Sequence, residues 1–195
     1  MLGVASGDRP VEFPAFGYDL ERRGEAFREH LRYFDTLLGE EFPHISTGYG
    51  NLEGDADLVP KPWNGRIPRL VTGNSRQDMS WIVENSDGWI TYPRNLARQL
   101  EVAAEWHRLV AAQAPNIFKP FAQSLYIDLD AQPDTPLSPI HLGYRLGRNA
   151  LIEILGQLQE AGVNHVAFNL KYGQRQAKDV LEEIAEYVLP ISHAR

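Results

Sequence analysis

Arg69-Leu70-Val71-Thr72-Gly73-Asn74-Ser75-Arg76-Gln77, running on to Asp87-Gly88-Trp89-Ile90-Thr91-Tyr92-Pro93-Arg94, is the stretch whose reading decides the fold. It reads as strand, tight turn, helix, strand. Leu70–Thr72 is the first strand and Trp89–Tyr92 the second. Between them Ser75 is expected to cap a helix to about Asn85, with Asp78 three residues on as its capping box. The turn combines a Gly, a capping Ser and an Arg. Backbone N–H groups at a helix start favour an anion, and a guanidinium adds a bidentate donor. The unit therefore points to an α/β protein that holds a phosphorylated cofactor.

Outward from this unit the same alternation continues. Leu2–Ala5 is a short apolar strand that runs into the polar turn Ser6-Gly7-Asp8-Arg9-Pro10. A domain that begins inside a core strand suggests that something precedes it. A helix is expected from Asp19, its N-cap, to Leu38, with Leu20, Phe27, Leu31, Phe34 and Leu38 on one face. Residues 40–68 form a long connection of the kind used as an active-site loop. Its alternating Glu53, Asp55 and Asp57 read as a solvated loop in preference to a metal site. Asn95 starts a further helix, closed by Pro115. Ser124–Asp130 is a strand, Gln132–Pro139 a Pro-rich loop, Arg148–Ala161 a helix ended by Gly162, and His165–Leu170 a strand. The last helix spans Gln174–Leu189, with Pro190 as its stop.

Strict alternation predicts parallel strands with helices between them in a single domain over residues 1–195. Five strands fit either an open doubly wound sheet or part of a (β/α)₈ barrel, and periodicity does not choose between them. The 195 residues suffice for one ordinary core. A net charge of -7 offers no basic stripe for nucleic acid. The absence of Cys removes disulfides, thiolate catalysis and Cys-ligated metals. No apolar run reaches membrane-spanning length and no signal peptide is evident, so a cytoplasmic setting is the default expectation.

Four segments resemble the bacterial luciferase-like monooxygenase family of flavin-dependent oxidoreductases. They are Leu2–Gly17, Gly73–Arg94, Ile140-His-Leu-Gly-Tyr-Arg-Leu-Gly-Arg-Asn149, and Ala161–Leu170 with the helix after it. They occur in the family's order and cover most of the chain. The resemblance implies a TIM barrel of which this chain supplies about strands four to eight, Leu2–Ala5 being the fourth. Strands one to three have no counterpart, nor does the family's oxygen-assisting His. The resemblance also implies reduced FMN as cofactor, with F420 as second choice. The reaction would use O2 on a small organic substrate, and a separate reductase would supply the reduced flavin, since no G-x-G-x-x-G is present. The alternatives are a non-catalytic flavin binder, or a partial barrel that works only as a homo-oligomer.

The expected site residues sit just after strands, where barrel sites lie. Ser6, Gly7 and Asp8 would approach the flavin, with Arg9 near its phosphate. Gly73, Asn74, Ser75, Arg76 and Gln77 would hold that phosphate, and Tyr92 and Arg94 would line the ring or the ribityl chain. Tyr144, Arg145 and Arg148, expected at a helix start, would bind substrate. Asp128 and Asp130 are candidate general bases that more often pair with a nearby Arg. His141 and His165 read as structural, and Trp81, Trp89 and Trp106 as packing.

Overall fold

In the computed structural model, which describes residues 1–193, the chain divides into two compact units, Met1–Asp87 and Gly88–Arg195.

In the first unit β1 (Leu2–Val4) and β4 (Arg69–Thr72) run parallel, with Leu2 opposite Arg69 and Val4 opposite Val71. A single helical turn, α1 (Glu12–Ala15), follows β1. The long helix α2 spans Arg23–Gly39 and buries Ala26, Phe27, Leu31 and Leu38. It starts four residues later than Asp19. That carboxylate instead accepts a hydrogen bond from the Glu21 N–H at 2.9 Å, a local turn that competes with helix.

The connection 40–68 is not structureless. It contains an antiparallel hairpin, β2 (His44–Thr47) and β3 (Gly50–Glu53). The Thr47 hydroxyl fixes the turn, accepting from the Tyr49 and Gly50 N–H groups at 3.1 Å each. Beyond it Asp57 pairs with Lys61, whose ammonium also donates to the Leu37 and Glu40 carbonyls at 2.7 and 2.6 Å. The loop is thereby pinned to the last carbonyls of α2. Helix α3 (Met79–Asn85) is capped by Asp78, which accepts from the Trp81 N–H at 2.7 Å. Ser75 does not cap it.

In the second unit β6 (Phe121–Leu129) is the central strand. It pairs in parallel with β5 (Gly88–Thr91), with β8 (Gly143–Leu146) and with β9 (His165–Asn169). Ala122 has partners in both β5 and β9, and Tyr126 in both β8 and β9. Hence β5 and β8 share one edge of β6 and β9 takes the other. Helix α4 (Leu96–Gln113) is capped by Asn95, as expected, and α5 spans Arg148–Glu160. Trp89 on β5 packs on Trp106 of α4 and edge-on against Phe121, with centroids at 5.5 and 5.4 Å. All three rings are buried.

Two expectations change here. Part of the Pro-rich loop forms β7 (Ser138–Ile140), antiparallel to β8. Gly143 permits the close approach of β8 to β6, because a Cβ there would lie 1.8 Å from the Tyr126 carbonyl oxygen. The last helix also continues past Pro190: α6 (Ala177–Glu183) leads through a π turn, Ile184–Val188, into α7 (Leu189–His193). In a regular α-helix the proline ring clashes with the carbonyl four residues back, and the wide turn just before it relieves this. Among the described residues no helix is long and apolar enough to cross a membrane.

Candidate functional site

Because β1 and β4 are parallel and in register, the loops at their carboxyl ends lie side by side. The Ser6 N–H donates to the Ser75 hydroxyl at 3.2 Å, and that hydroxyl donates to the Thr72 carbonyl at 3.0 Å. Ser75 is 8% exposed and joins the two loops. Gly73, Ser75 and Arg76 all have positive φ, at 58°, 47° and 59°. Two of the three are not glycine, which marks a strained turn of the sort found at functional sites. Left-handed turns of this kind point successive N–H groups into a shallow, anion-favouring concavity.

Gln77 bolts this turn to α2. Its amide donates to the Gly24 carbonyl at 2.9 Å and the Ser75 carbonyl at 3.0 Å, and it accepts from Arg28 at 3.4 Å. Gly24 leaves the room for this, since a Cβ there would lie 2.7 Å from the Arg76 Cβ. The side chains of Ser75 and Gln77 are therefore committed to building the turn. Arg76 is exposed and makes no ion pair among the described residues. Asp8 and Asn74 are also exposed.

Beside this turn the first unit holds a cleft of about 270 Å³, floored by Ala5, Ser6 and Gly7 and walled by Phe13, Phe16, Tyr18 and Phe27. Gly7 has φ 80°, and the Phe13 ring lies 3.1 Å from where its Cβ would be. Arg23 and His30 supply polar groups. Neither is among the site residues expected from the sequence. The available signal is the cluster Phe13, Phe16, Gly17, Tyr18, too aromatic for an exposed turn.

In the second unit Tyr92 is exposed, and Arg94 donates to the Tyr92 carbonyl at 3.3 Å and to Gln99 at 3.2 Å. Gln99 donates in turn to Thr91 and Gln123, a buried polar group beneath the Arg. Burial, and after it the neighbouring charge of Arg98, lowers the Arg94 pKa from its ordinary value.

The expectation that Tyr144 and Arg145 stand at a helix start is corrected, since both lie on β8; Arg148 alone opens α5. Arg145 is held by Asp130 at 2.7 Å and faces Asp128 at 3.7 Å. Arg148 pairs with Glu183 at 3.0 Å and lies 4.2 Å from the centroid of the Tyr187 ring. These charges are already matched within the unit. The Gln132 N–H, followed by Arg145, lowers the Asp130 pKa below the ordinary aspartate value. Asp128 is buried and accepts from the Gln174 N–H at 3.0 Å. His141 and His165 are both exposed, His141 standing edge-on to Tyr172.

Comparison with known proteins bears on this arrangement. A sequence model of the luciferase-like monooxygenases matches residues 1–127. An uncharacterized protein of Mycobacterium tuberculosis is 30% identical over 96 residues, covering 49% of this chain and 34% of that protein. The matched stretch thus spans about a third of that curated relative. Among solved structures, an F420-dependent secondary alcohol dehydrogenase superposes with a TM-score of 0.72 at 15% identity, over 97% of this chain and 68% of its own. Monooxygenase RslO1 of Streptomyces bottropensis gives 0.66 at 12% identity, over 99% of this chain and 68% of its own. The F420-dependent tetrahydromethanopterin reductase of Methanopyrus kandleri gives 0.68 at 12%, over 96% and 73%. These structural likenesses establish the α/β fold, with its largely parallel strands alternating with helices. With the sequence match over residues 1–127 they place the chain in the luciferase-like monooxygenase family.

Proposed function

We propose that the chain is an oxidoreductase of the flavin-dependent monooxygenase kind, acting on a small organic substrate with reduced FMN, and that the turns after β1 and β4 hold the cofactor's phosphate. The observation that carries this reading is the left-handed turn Gly73–Arg76, fastened to Ser6 and presenting an exposed, unpaired Arg76. The residues fit the group: an anion gains backbone N–H groups and a bidentate donor without displacing any existing ion pair.

Ser75 and Gln77 keep the turn in its strained shape, and Gly7 takes the positive φ of the turn after β1. Arg76 supplies the charge. When bound, a reduced flavin supplies the electrons for reaction with oxygen, and the protein's share is binding, orientation and exclusion of water. F420 carries a phosphate as well and is the second choice of cofactor. The reading includes a separate reductase and a cytoplasmic setting.

The test is equilibrium titration of the chain with FMN and with F420, oxidised and reduced, repeated on Arg76→Ala. Saturable binding that falls at least tenfold in the variant is expected. A folded chain that binds neither cofactor refutes the reading.

Self-association is a second reading with its own observation. Among the described residues β1 pairs with β4 alone, and Leu2 is exposed beside the remaining edge. Such an edge is a template for pairing. Sedimentation equilibrium showing a monomer across the micromolar range would dismiss it.

A further inference from the structure

The cleft beside β1 contains a positive charge that the protein leaves uncompensated. The Arg23 guanidinium donates from Nη1 to the Leu20 carbonyl at 2.9 Å, while its Nε is buried with no hydrogen-bond partner. It makes no ion pair among the described residues. A buried donor without an acceptor is costly and rare; Arg23 also lines the cleft, where its unpaired charge can meet an anion. Two carboxylates also line the space, and neither lies within ion-pair distance of Arg23. Glu12 meets Arg9 at 3.3 Å, and Asp19 accepts from the Glu21 N–H.

The rest of the cleft is aromatic. Phe16 is 75% exposed, far more than its size warrants without a partner, and Tyr18 is also exposed. Tyr18 stacks on Tyr49 with centroids at 5.5 Å, and His30 lies 4.5 Å from the Tyr49 ring centroid, so this wall is braced from behind. An apolar cavity of about 150 Å³ takes up benzene. At about 270 Å³ this cleft has room for one ring with a short acidic arm.

We propose that the cleft is a docking site for a small aromatic carboxylate, its ring among Phe13, Phe16 and Tyr18 and its carboxylate against Arg23. Binding of the acid requires no cofactor; only its role as the substrate rests on the flavin reading.

Phenylacetate and phenylacetamide share a shape and differ in charge, so calorimetric titration of the full chain with each tests the site. Saturable binding of phenylacetate is expected, with the amide at least tenfold weaker. Arg23→Gln, checked by circular dichroism and thermal melting, removes that preference. Phe16→Ala, at an exposed position that tolerates truncation, weakens both ligands alike. FMN affinity is unchanged in Arg23→Gln. Three results overturn the proposal: no binding of phenylacetate by the folded chain, equal affinity for acid and amide, or a preference that survives in Arg23→Gln. If Arg23→Gln weakens FMN while phenylacetate fails to bind, the cleft serves the cofactor phosphate and the proposal also falls. The comparison of acid with amide, in the parent and in Arg23→Gln, involves no FMN, so it stands if the Arg76 reading is lost and the two fail separately.

Discussion

Arginines in this chain divide by what surrounds their planar head group. Arg145 and Arg148 are spent on carboxylates, whereas Arg23 and Arg76 are not. The sequence does not reveal this difference, because pairing depends on which strand or helix comes alongside. Ser75 shows the same limit. Its position after β4 is legible, but its partner Ser6 is 69 residues away, and only the parallel register of β1 and β4 brings the two together. At Gly24 a methyl group would meet the Arg76 Cβ, so Gly24→Ala should disturb the turn. We expect a loss of about 1–3 kcal/mol in urea unfolding and weaker FMN binding. Asp78→Ala removes the cap of α3 and should cost about 1 kcal/mol while leaving ligand binding unchanged. Asp130 titrates below its unfolded value, so its contribution is present above about pH 4 and lost as pH falls through the lowered folded value. Acid unfolding of Asp130→Asn, compared with the parent, should therefore show a weaker pH dependence in that window. Identical acid profiles would contradict the assignment.

At the scale of the element, legibility follows length and capping chemistry. α4 is readable because Asn95 caps eighteen residues of periodic apolar spacing. The hairpins β2–β3 and β7–β8 are not readable. Strands of three or four residues are too short for a period to declare itself; β4 and β5 are legible from their buried apolar runs, which β2 and β7 lack, and the Thr47 hydroxyl that fixes the first turn resembles any other polar loop residue. The continuation through Pro190 fails for another reason: the proline is a stop only when the turn before it is α-helical. The one expectation most firmly tied to an element is Gly143. With a carbonyl oxygen 1.8 Å from any Cβ, Gly143→Ala cannot keep the β6–β8 register without backbone movement. Its melting temperature should fall by several degrees, more than that of Gly39→Ala, whose Cβ would meet only the Gly65 carbonyl oxygen, at 3.7 Å.

For the molecule as a whole, the four tryptophans make the two units separately observable. Trp63 and Trp81 belong to the first unit, and Trp89 and Trp106 to the second. Trp63 is 98% exposed, so Trp63→Phe should shift native fluorescence to the blue and alter stability by no more than about 0.5 kcal/mol. A larger loss would mean that this ring is covered in solution. β6 sets the ceiling for everything around it, because β5 and β8 occupy one edge and β9 the other. No amide along its middle can meet solvent until a neighbouring strand has left. In deuterium these protons should be the last of the second unit to exchange, and their rate is a direct clock for the opening of that whole unit.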